Sequence, residues 1–394
     1  MSKDNDIESK CSSIIMKLLY LSNALIPSRQ ANSIHIMKIC SAFSKIGFKV
    51  SLTFRKNTQD NLYTDDNEIF EFYGIKSTFK LISLQKNNSL FSIYFNALIS
   101  LLICMYQRPK IIISRFLIAG FLSSLFFNTL IELHQLPSKK SRLQKYILKF
   151  CKYAPKFKGL IVITNPLKEL FISEGFPRNK IYVLPDGADP AHSDKEKILF
   201  KANSSKINIG YAGHLFKGRG IELLYEIADS CPWTTIHIAG GNDRDIKYHQ
   251  KNINQRNISN IKMYGFIKPN EVANFFAKMD ILVAPYQKKV HLQSGNITTE
   301  KWMSPLKVFE YMAAAKPIIC SEIDVLKEVL KNRENCILCD PENVNEWIDA
   351  IELLRDNQDL ANTIISNALK DLNTKYSWKK RAETISDIIL KKNY

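Results

Sequence analysis

Four short stretches carry side chains suited to a charged, hydroxyl-rich ligand. The first is Gly210-Tyr211-Ala212-Gly213-His214-Leu215-Phe216-Lys217-Gly218-Arg219-Gly220, followed by a helical pattern from Ile221. Small residues close a strand, two cations follow, and a helix begins whose first N–H groups are free and partly positive. That suits a diphosphate, although a Gly-rich turn with surface cations is also common. It is neither G-x-G-x-x-G nor a P-loop. The second runs Ser304-Pro305-Leu306-Lys307-Val308-Phe309-Glu310. Ser304 reads as an N-cap and Pro305 as first-turn proline, so bare N–H groups would again face an anion. Glu310, on the second turn, could accept two ribose hydroxyls; by spacing alone it reads as a solvated carboxylate. The third is Glu132-Leu133-His134, at the carboxyl end of a predicted strand, where a histidine would face a cleft and titrate near neutrality. A satisfied structural histidine is the default alternative. The fourth is the loop from Pro27 to His35, between the first strand and the first helix.

These stretches need a scaffold, and apolar β-rich runs alternate with amphipathic helical ones along most of the chain. The pattern predicts strands at 17–21, 49–53, 80–84, 110–114, 129–132, 159–163 and 181–184. A second series follows at 207–211, 235–239, 261–264, 281–284, 317–320 and 336–338. Between strands, Ile36, Ile39, Cys40, Phe43 and Ile46 keep helical spacing, and Gly47 closes that helix. Such alternation means βαβ units. The expected architecture is α/β, two doubly wound parallel-sheet (Rossmann-like) domains facing across a cleft, with ligand beyond the carboxyl strand ends. Expected boundaries are a disordered segment 1–14, a domain 15–189, a linker 190–205, a domain 206–376 and a terminal helix 377–394 returning to the first domain.

The 394 residues carry a formal charge of +17. Residues 1–200 hold 28 basic and 15 acidic side chains, a net of +13, against +4 for the remainder. An anionic ligand or surface should therefore meet the first half. The eight cysteines have no disulfide-framework spacing, and Cys336-x-x-Cys339 lacks a second pair, so reduced thiols in the cytosol are expected. The charged N-terminus lacks the apolar core of a signal peptide. Two uncharged stretches, 87–107 and 116–131, read as buried helices rather than membrane spans. Lys139, Lys140, Arg142, Lys145, Lys149, Lys152, Lys156 and Lys158 interleave with Leu143, Tyr146, Ile147, Leu148, Phe150 and Tyr153. That basic amphipathic pattern suits an anionic membrane surface and equally a solvated face. No nucleic-acid-binding motif is present.

Taken in order, Glu132-Leu133-His134, Val183-Leu184-Pro185-Asp186-Gly187-Ala188-Asp189, the 210–220 loop and Ser304-Pro305-Leu306-Lys307-Val308-Phe309-Glu310-Tyr311-Met312 resemble the retaining GT-B glycosyltransferases of the large family 4. The resemblance runs from Lys17 to the last helices. It implies transfer of a sugar from a nucleotide-sugar, with UDP- or GDP-sugar as substrate, no cofactor and no metal. It implies Glu310 on the donor ribose, Ser304, Pro305, Leu306 and Lys307 as the helix start at the diphosphate, and Lys217 with Arg219 as the neutralising pair. Gly213 belongs to the same loop. His134 would contact the transferred sugar. Gly240 with Gly241, and Gly265 with Phe266, would line the base, and Arg29, Asn32 and His35 the acceptor side. The implied acceptor is a saccharide or lipid-linked saccharide in surface polysaccharide or lipopolysaccharide synthesis, met at the inner face of the membrane. The sequence departs from the family where Trp302 replaces a glutamate eight positions before Glu310, where His214 replaces an arginine, and where Ala315 replaces a glycine. Asp243-Arg244-Asp245 is a literal D-x-D that reads as a helix start. A nucleotide-sugar epimerase on the same fold and a non-catalytic nucleotide-sugar-binding or partner subunit remain as rival readings.

Overall fold

The computed structural model describes residues 16–57, 65–86, 89–137, 141–190, 206–291 and 298–390. The expected disordered segment 1–14, nearly all of the expected linker, and Lys139 and Lys140 lie outside them. Among the described residues the first sheet has strands β1 (Lys17–Ile26), β2 (Lys49–Lys56), β3 (Lys80–Leu84), β4 (Ile111–Ser114), β5 (Thr129–Glu132), β6 (Phe157–Val162) and β7 (Ile181–Val183), in the order β3-β2-β1-β4-β5-β6-β7. The second has β8 (Ile207–Ala212), β9 (Thr234–Ala239), β10 (Ile261–Gly265), β11 (Ile281–Ala284), β12 (Ile318–Ser321) and β13 (Ile337–Cys339), in the order β10-β9-β8-β11-β12-β13. The paired strands in both sheets are parallel. Central strands such as β4, β5 and β11 are buried at every position, as continuous Ile/Leu/Val runs require when helices cover both faces.

The helices are α1 (Ala31–Lys45), α2 (Asp66–Phe72), α3 (Leu90–Gln107), α4 (Leu117–Ser124), α5 (Arg142–Cys151) and α6 (Asn165–Ser173), then α7 (Ile221–Ser230), α8 (Asp243–Gln255), α9 (Val272–Ala277), α10 (Leu306–Ala313), α11 (Val344–Asp356), α12 (Gln358–Asp371) and α13 (Trp378–Leu390). On one face of the first sheet α1, α2 and α13 build a core around Ile36, Phe43, Ile69, Trp378 and Ile385. The other face is covered by α3 to α6, around Ala97, Leu117, Ile147 and Leu167. The second sheet is sandwiched between α7, α8, α11 and part of α12 on one side and α9 and α10 on the other. The chain crosses back between the sheets at Ala188, which bridges to Ser377. A Cβ at Gly187 would lie 2.3 Å from the Tyr376 carbonyl, so this crossing needs glycine.

The expectation of a buried helix over 87–107 is corrected. Only one side of α3 is buried, and that side is built of Ser92, Asn96, Ala97, Ser100, Leu101 and Cys104. The large apolar side chains Leu90, Phe91, Tyr94, Leu98, Leu102 and Met105 point outward. An uncharged run does not reveal which of its faces meets the protein.

Candidate functional site

The first half of the site grows from the carboxyl end of β5. Glu132, buried to 1% exposure, is the hub. Its Oε1 accepts from the Arg381 guanidinium at 2.7 Å and from His134 Nε2 at 2.8 Å, and lies 2.9 Å from His35 Nε2. Its Oε2 accepts from the Tyr20 hydroxyl at 3.1 Å. His35 Nδ1 donates to Asp186 at 2.7 Å, and the Asp186 amide donates to the Ser304 hydroxyl at 3.1 Å. Burial alone would raise the Glu132 pKa, but the His35 and Arg381 charges hold it well below the usual carboxylate range. Burial, reinforced by Arg115, pushes His134 down to about 4. His134 is therefore neutral at pH 7. With Nε2–H given to Glu132, its Nδ1 lone pair is left as an acceptor. The expectation of near-neutral titration is corrected, because desolvation outweighs the nearby carboxylates.

The second half gathers at the ends of β8, β9 and β10. The Gly213 amide donates to the Ala239 carbonyl at 2.9 Å and the Gly240 amide to the Gly265 carbonyl at 2.6 Å, so three strand-end glycines form one floor. A Cβ at Gly240 would meet the Gly213 carbonyl at 2.0 Å; no other residue fits there. Beneath Gly213 lies the Lys307 ammonium, 3.7 Å from the centre of the Tyr211 ring and 5.1 Å from that of Tyr286. Among the described residues it has no hydrogen-bond partner, and the buried Arg219 Nε has none either. Burial and the Arg219 charge drive the Lys307 pKa far down. Glu310, half-buried one turn further along α10, is pushed up by burial, partly offset by the Lys38 and Lys307 charges. A carboxylate and two cations thus lie close enough to act on one another.

The structure rearranges several sequence-based assignments. Lys217 is exposed on its loop, and the basic pair drawn inward is the buried Lys307 with the half-buried Arg219. Ser304 is not the N-cap: Pro305 holds that position, Leu306 opens α10, and the Ser304 hydroxyl joins the domains through Asp186. His35 is locked at 1% exposure between two carboxylates, its ring 4.9 Å from that of Trp378, so it cannot touch an acceptor. Phe266 has the Arg29 guanidinium 4.3 Å over its ring and stacks with Phe72 at 6.4 Å, which makes it a contact with the first domain rather than a platform for a base. Asn32 is half-buried with an unpartnered Oδ1. The Trp302 indole packs against the first-domain core and its Nε1 is unpartnered. Glu300 is spent on the Val290 amide and the Thr298 hydroxyl, both at 3.1 Å. Asp243 and Asp245 lie in the first turn of α8, behind the Asn242 cap. Sequence reasoning missed Arg381, Asp186, Arg115 and Tyr286, and gave Lys307 only a backbone role. A lysine followed by apolar Val308 and Phe309 was the available signal.

His35, Glu132 and His134 offer ligand atoms within 4.8 Å of one another. The Arg381 guanidinium already sits on the oxygen that a cation would need, and Tyr20 takes the other. The donor set reads as a closed ion-pair network rather than a metal centre.

Residues 194–371 match the family model of glycosyl transferases group 1. Two archaeal sequences of Methanocaldococcus jannaschii are similar: uncharacterized glycosyltransferase MJ1178, 24% identical over 59% of both chains, and uncharacterized glycosyltransferase MJ1607, 25% identical over 58% of both. The chain thus spans about three-fifths of the length of the curated relatives it matches. In structure it is similar to a glycosyltransferase from Rickettsia africae, with TM-score 0.72, 15% identity and coverage of 97% of this chain and 100% of that one. It is also similar to Anabaena HepE solved with UDP, with TM-score 0.67, 14% identity and coverage of 95% and 100%. The chain therefore has the two-domain GT-B fold of known glycosyltransferases, and its second half carries the group 1 match.

Proposed function

We propose that the protein transfers a glycosyl group, with retention, from a nucleoside-diphosphate sugar to a hydroxyl of a saccharide or lipid-linked saccharide, in surface polysaccharide or lipopolysaccharide synthesis at the cytoplasmic side of the membrane. The observation that carries this reading is the buried Lys307 ammonium with the half-buried Arg219 guanidinium near it, two cations with no salt-bridge partner among the described residues, beside Glu310. Burying unpaired like charges is costly, and an anion is what would relieve it. The likeness to HepE, which was solved with UDP and with UDP-glucose, supports a nucleoside diphosphate as that anion.

In this mechanism the anomeric C–O bond to the β-phosphate breaks as a bond to the acceptor oxygen forms on the same face. The acceptor proton passes to an oxygen of the departing diphosphate. Lys307, Arg219 and the free N–H groups opening α10 stabilise the growing negative charge. Glu310 accepts the ribose hydroxyls. Neutral His134, oriented by Glu132, accepts a hydroxyl of the transferred sugar through Nδ1. The reaction takes its electrostatic stabilisation from these cations and needs no divalent metal.

The test is mass-spectrometric release of nucleoside diphosphate and glycosylated product across UDP- and GDP-sugars, with and without chelator. Turnover should survive chelation, and Arg219→Met should cost about 10²–10³ in kcat. Strict dependence on a divalent ion, or full activity in Arg219→Met, would contradict the mechanism.

A further inference from the structure

Helix α3 has the opposite polarity from a helix whose outer face meets water. Its sheet-facing side is small and polar, and it is fixed there by Asn96, whose amide donates to Asn23 Oδ1 and the Gln85 carbonyl, both at 3.0 Å, while its Oδ1 accepts from the Gln85 amide at 3.1 Å. Its outer side is an apolar stripe at helical spacing, with Phe91 75% and Leu102 55% exposed. The stripe does not end with α3. Helix α3 packs on α4 and α4 on α5, in one layer. Leu125 and Phe126 beyond α4, and Leu143, Tyr146, Phe150 and Tyr153 in and after α5, are exposed too. Exposed Arg142, Lys145 and Lys149 interleave with these. No Asp or Glu occurs between Glu71 and Glu132 or between Glu132 and Glu169, and Glu132 itself is buried. The outward face of α3, α4 and α5 therefore carries cations and large apolar groups and no carboxylate. Soluble monomers rarely leave such a surface in water.

We propose that this three-helix face seats the protein on an anionic lipid bilayer, with the α3 stripe sunk into the interface and the α5 cations at the headgroup phosphates. The charge pattern selects the occupant. A second copy would bring the same cations against these, whereas a phosphate-rich leaflet complements them. Helix α3 has 18 residues and a mean hydropathy of 1.6, enough in length and composition to cross a membrane. Its Asn96 anchorage holds it flat against the sheet, so it lies in the interface instead. The contact is also not the purely electrostatic one that the lysine pattern of α5 suggests. Lys152 donates to the Gly175 carbonyl at 2.8 Å and is committed to the fold, so the apolar row of α3 acts beside Arg142, Lys145 and Lys149. This inference stands on the surface alone and is independent of what the cleft binds.

Flotation of the full chain with phosphatidylcholine vesicles, with and without phosphatidylglycerol, tests it. At low salt the protein should float with the anionic vesicles. Leu98→Gln with Leu102→Gln should lower the bound fraction by about tenfold or more. Lys145→Glu with Lys149→Glu should lower it on the order of tenfold and remove the salt dependence. Should the α3 pair fail to fold, Phe91→Trp supplies a second readout: its emission should shift to the blue on adding anionic vesicles and stay unchanged with phosphatidylcholine alone. No flotation of the wild type at low salt, or flotation indifferent to the α3 pair, would overturn the proposal. A solution dimer dissolved by the α3 substitutions, without vesicle binding, would assign the face to a second copy and equally overturn it. A UDP-induced thermal shift in the same samples reports on the cleft separately.

Discussion

Lys307 and Glu132 are both buried charges, and their surroundings set opposite consequences. Glu132 is compensated by Arg381, two histidines and a tyrosine. Removing the cation in Arg381→Met should cost about 3–5 kcal/mol in urea unfolding, because a buried carboxylate is left uncompensated. Since Glu132 titrates below its usual 4.5 in the folded state, its stability contribution is complete above 4.5 and is lost as pH falls through the depressed value. Arg381→Met should therefore also move acid unfolding to higher pH. Lys307 has no such compensation. Lys307→Met should leave the unliganded protein as stable as wild type or more so, while weakening nucleotide binding; a melting curve with and without UDP separates the two effects. The depressed ammonium binds fewer protons folded than unfolded, so wild-type stability without ligand should rise with pH between the depressed value and 10.5. The sequence made His134, Arg219 and Glu310 legible because each sits at a recognisable strand end or helix start. It could not show Asp186 beside His35, 151 positions away, or Arg381 beside Glu132, 249 positions away, because only folding creates those neighbours.

At the scale of elements the pattern was readable wherever burial is two-sided. Strands β3, β5 and β11 coincide with the expected runs to the residue, and the other boundaries shift by a few positions at most. The largest shift is β1, which continues to Ile26 through a register break between Leu21 and Leu25 that local periodicity does not encode. Loop geometry was less accessible. Gly218 and Gly220 have φ of +87° and +77°, and a Cβ at Gly220 would sit 1.7 Å from the Pro285 carbonyl. Gly220→Ala should displace the loop that carries Arg219, lowering the melting temperature and abolishing the UDP-induced shift. Gly47→Ala is the control: its φ of +96° strains alanine by about 1–2 kcal/mol, but nothing lies within 4 Å, so nucleotide binding should persist. Helix α10 shows why a cap cannot be assigned from residue type alone. Ser304 has the preferred side chain, yet its hydroxyl is taken by Asp186 from the other domain.

At the scale of the molecule, two parallel sheets were legible from strand order and spacing, whereas the way they meet was not. Their contact includes single side chains such as Arg29 over Phe266, Ser304 at Asp186 and Thr164 on the Trp302 carbonyl at 3.1 Å. None has a local pattern. The net of +13 in residues 1–200 was visible in composition, and the structure concentrates part of it beside an apolar row that composition alone placed in the core. Lys307 and Glu310 on α10 and Arg219 on the loop before α7 lie close together, and Glu310 is within reach of the Lys38 charge from the first domain. The claim that this group of charges binds a nucleoside diphosphate is tested most directly by calorimetric titration of UDP and GDP at neutral pH. One nucleotide should bind, and Lys307→Met should lose most of the affinity. Absence of binding by either nucleotide, or equal binding by Lys307→Met, would contradict the account.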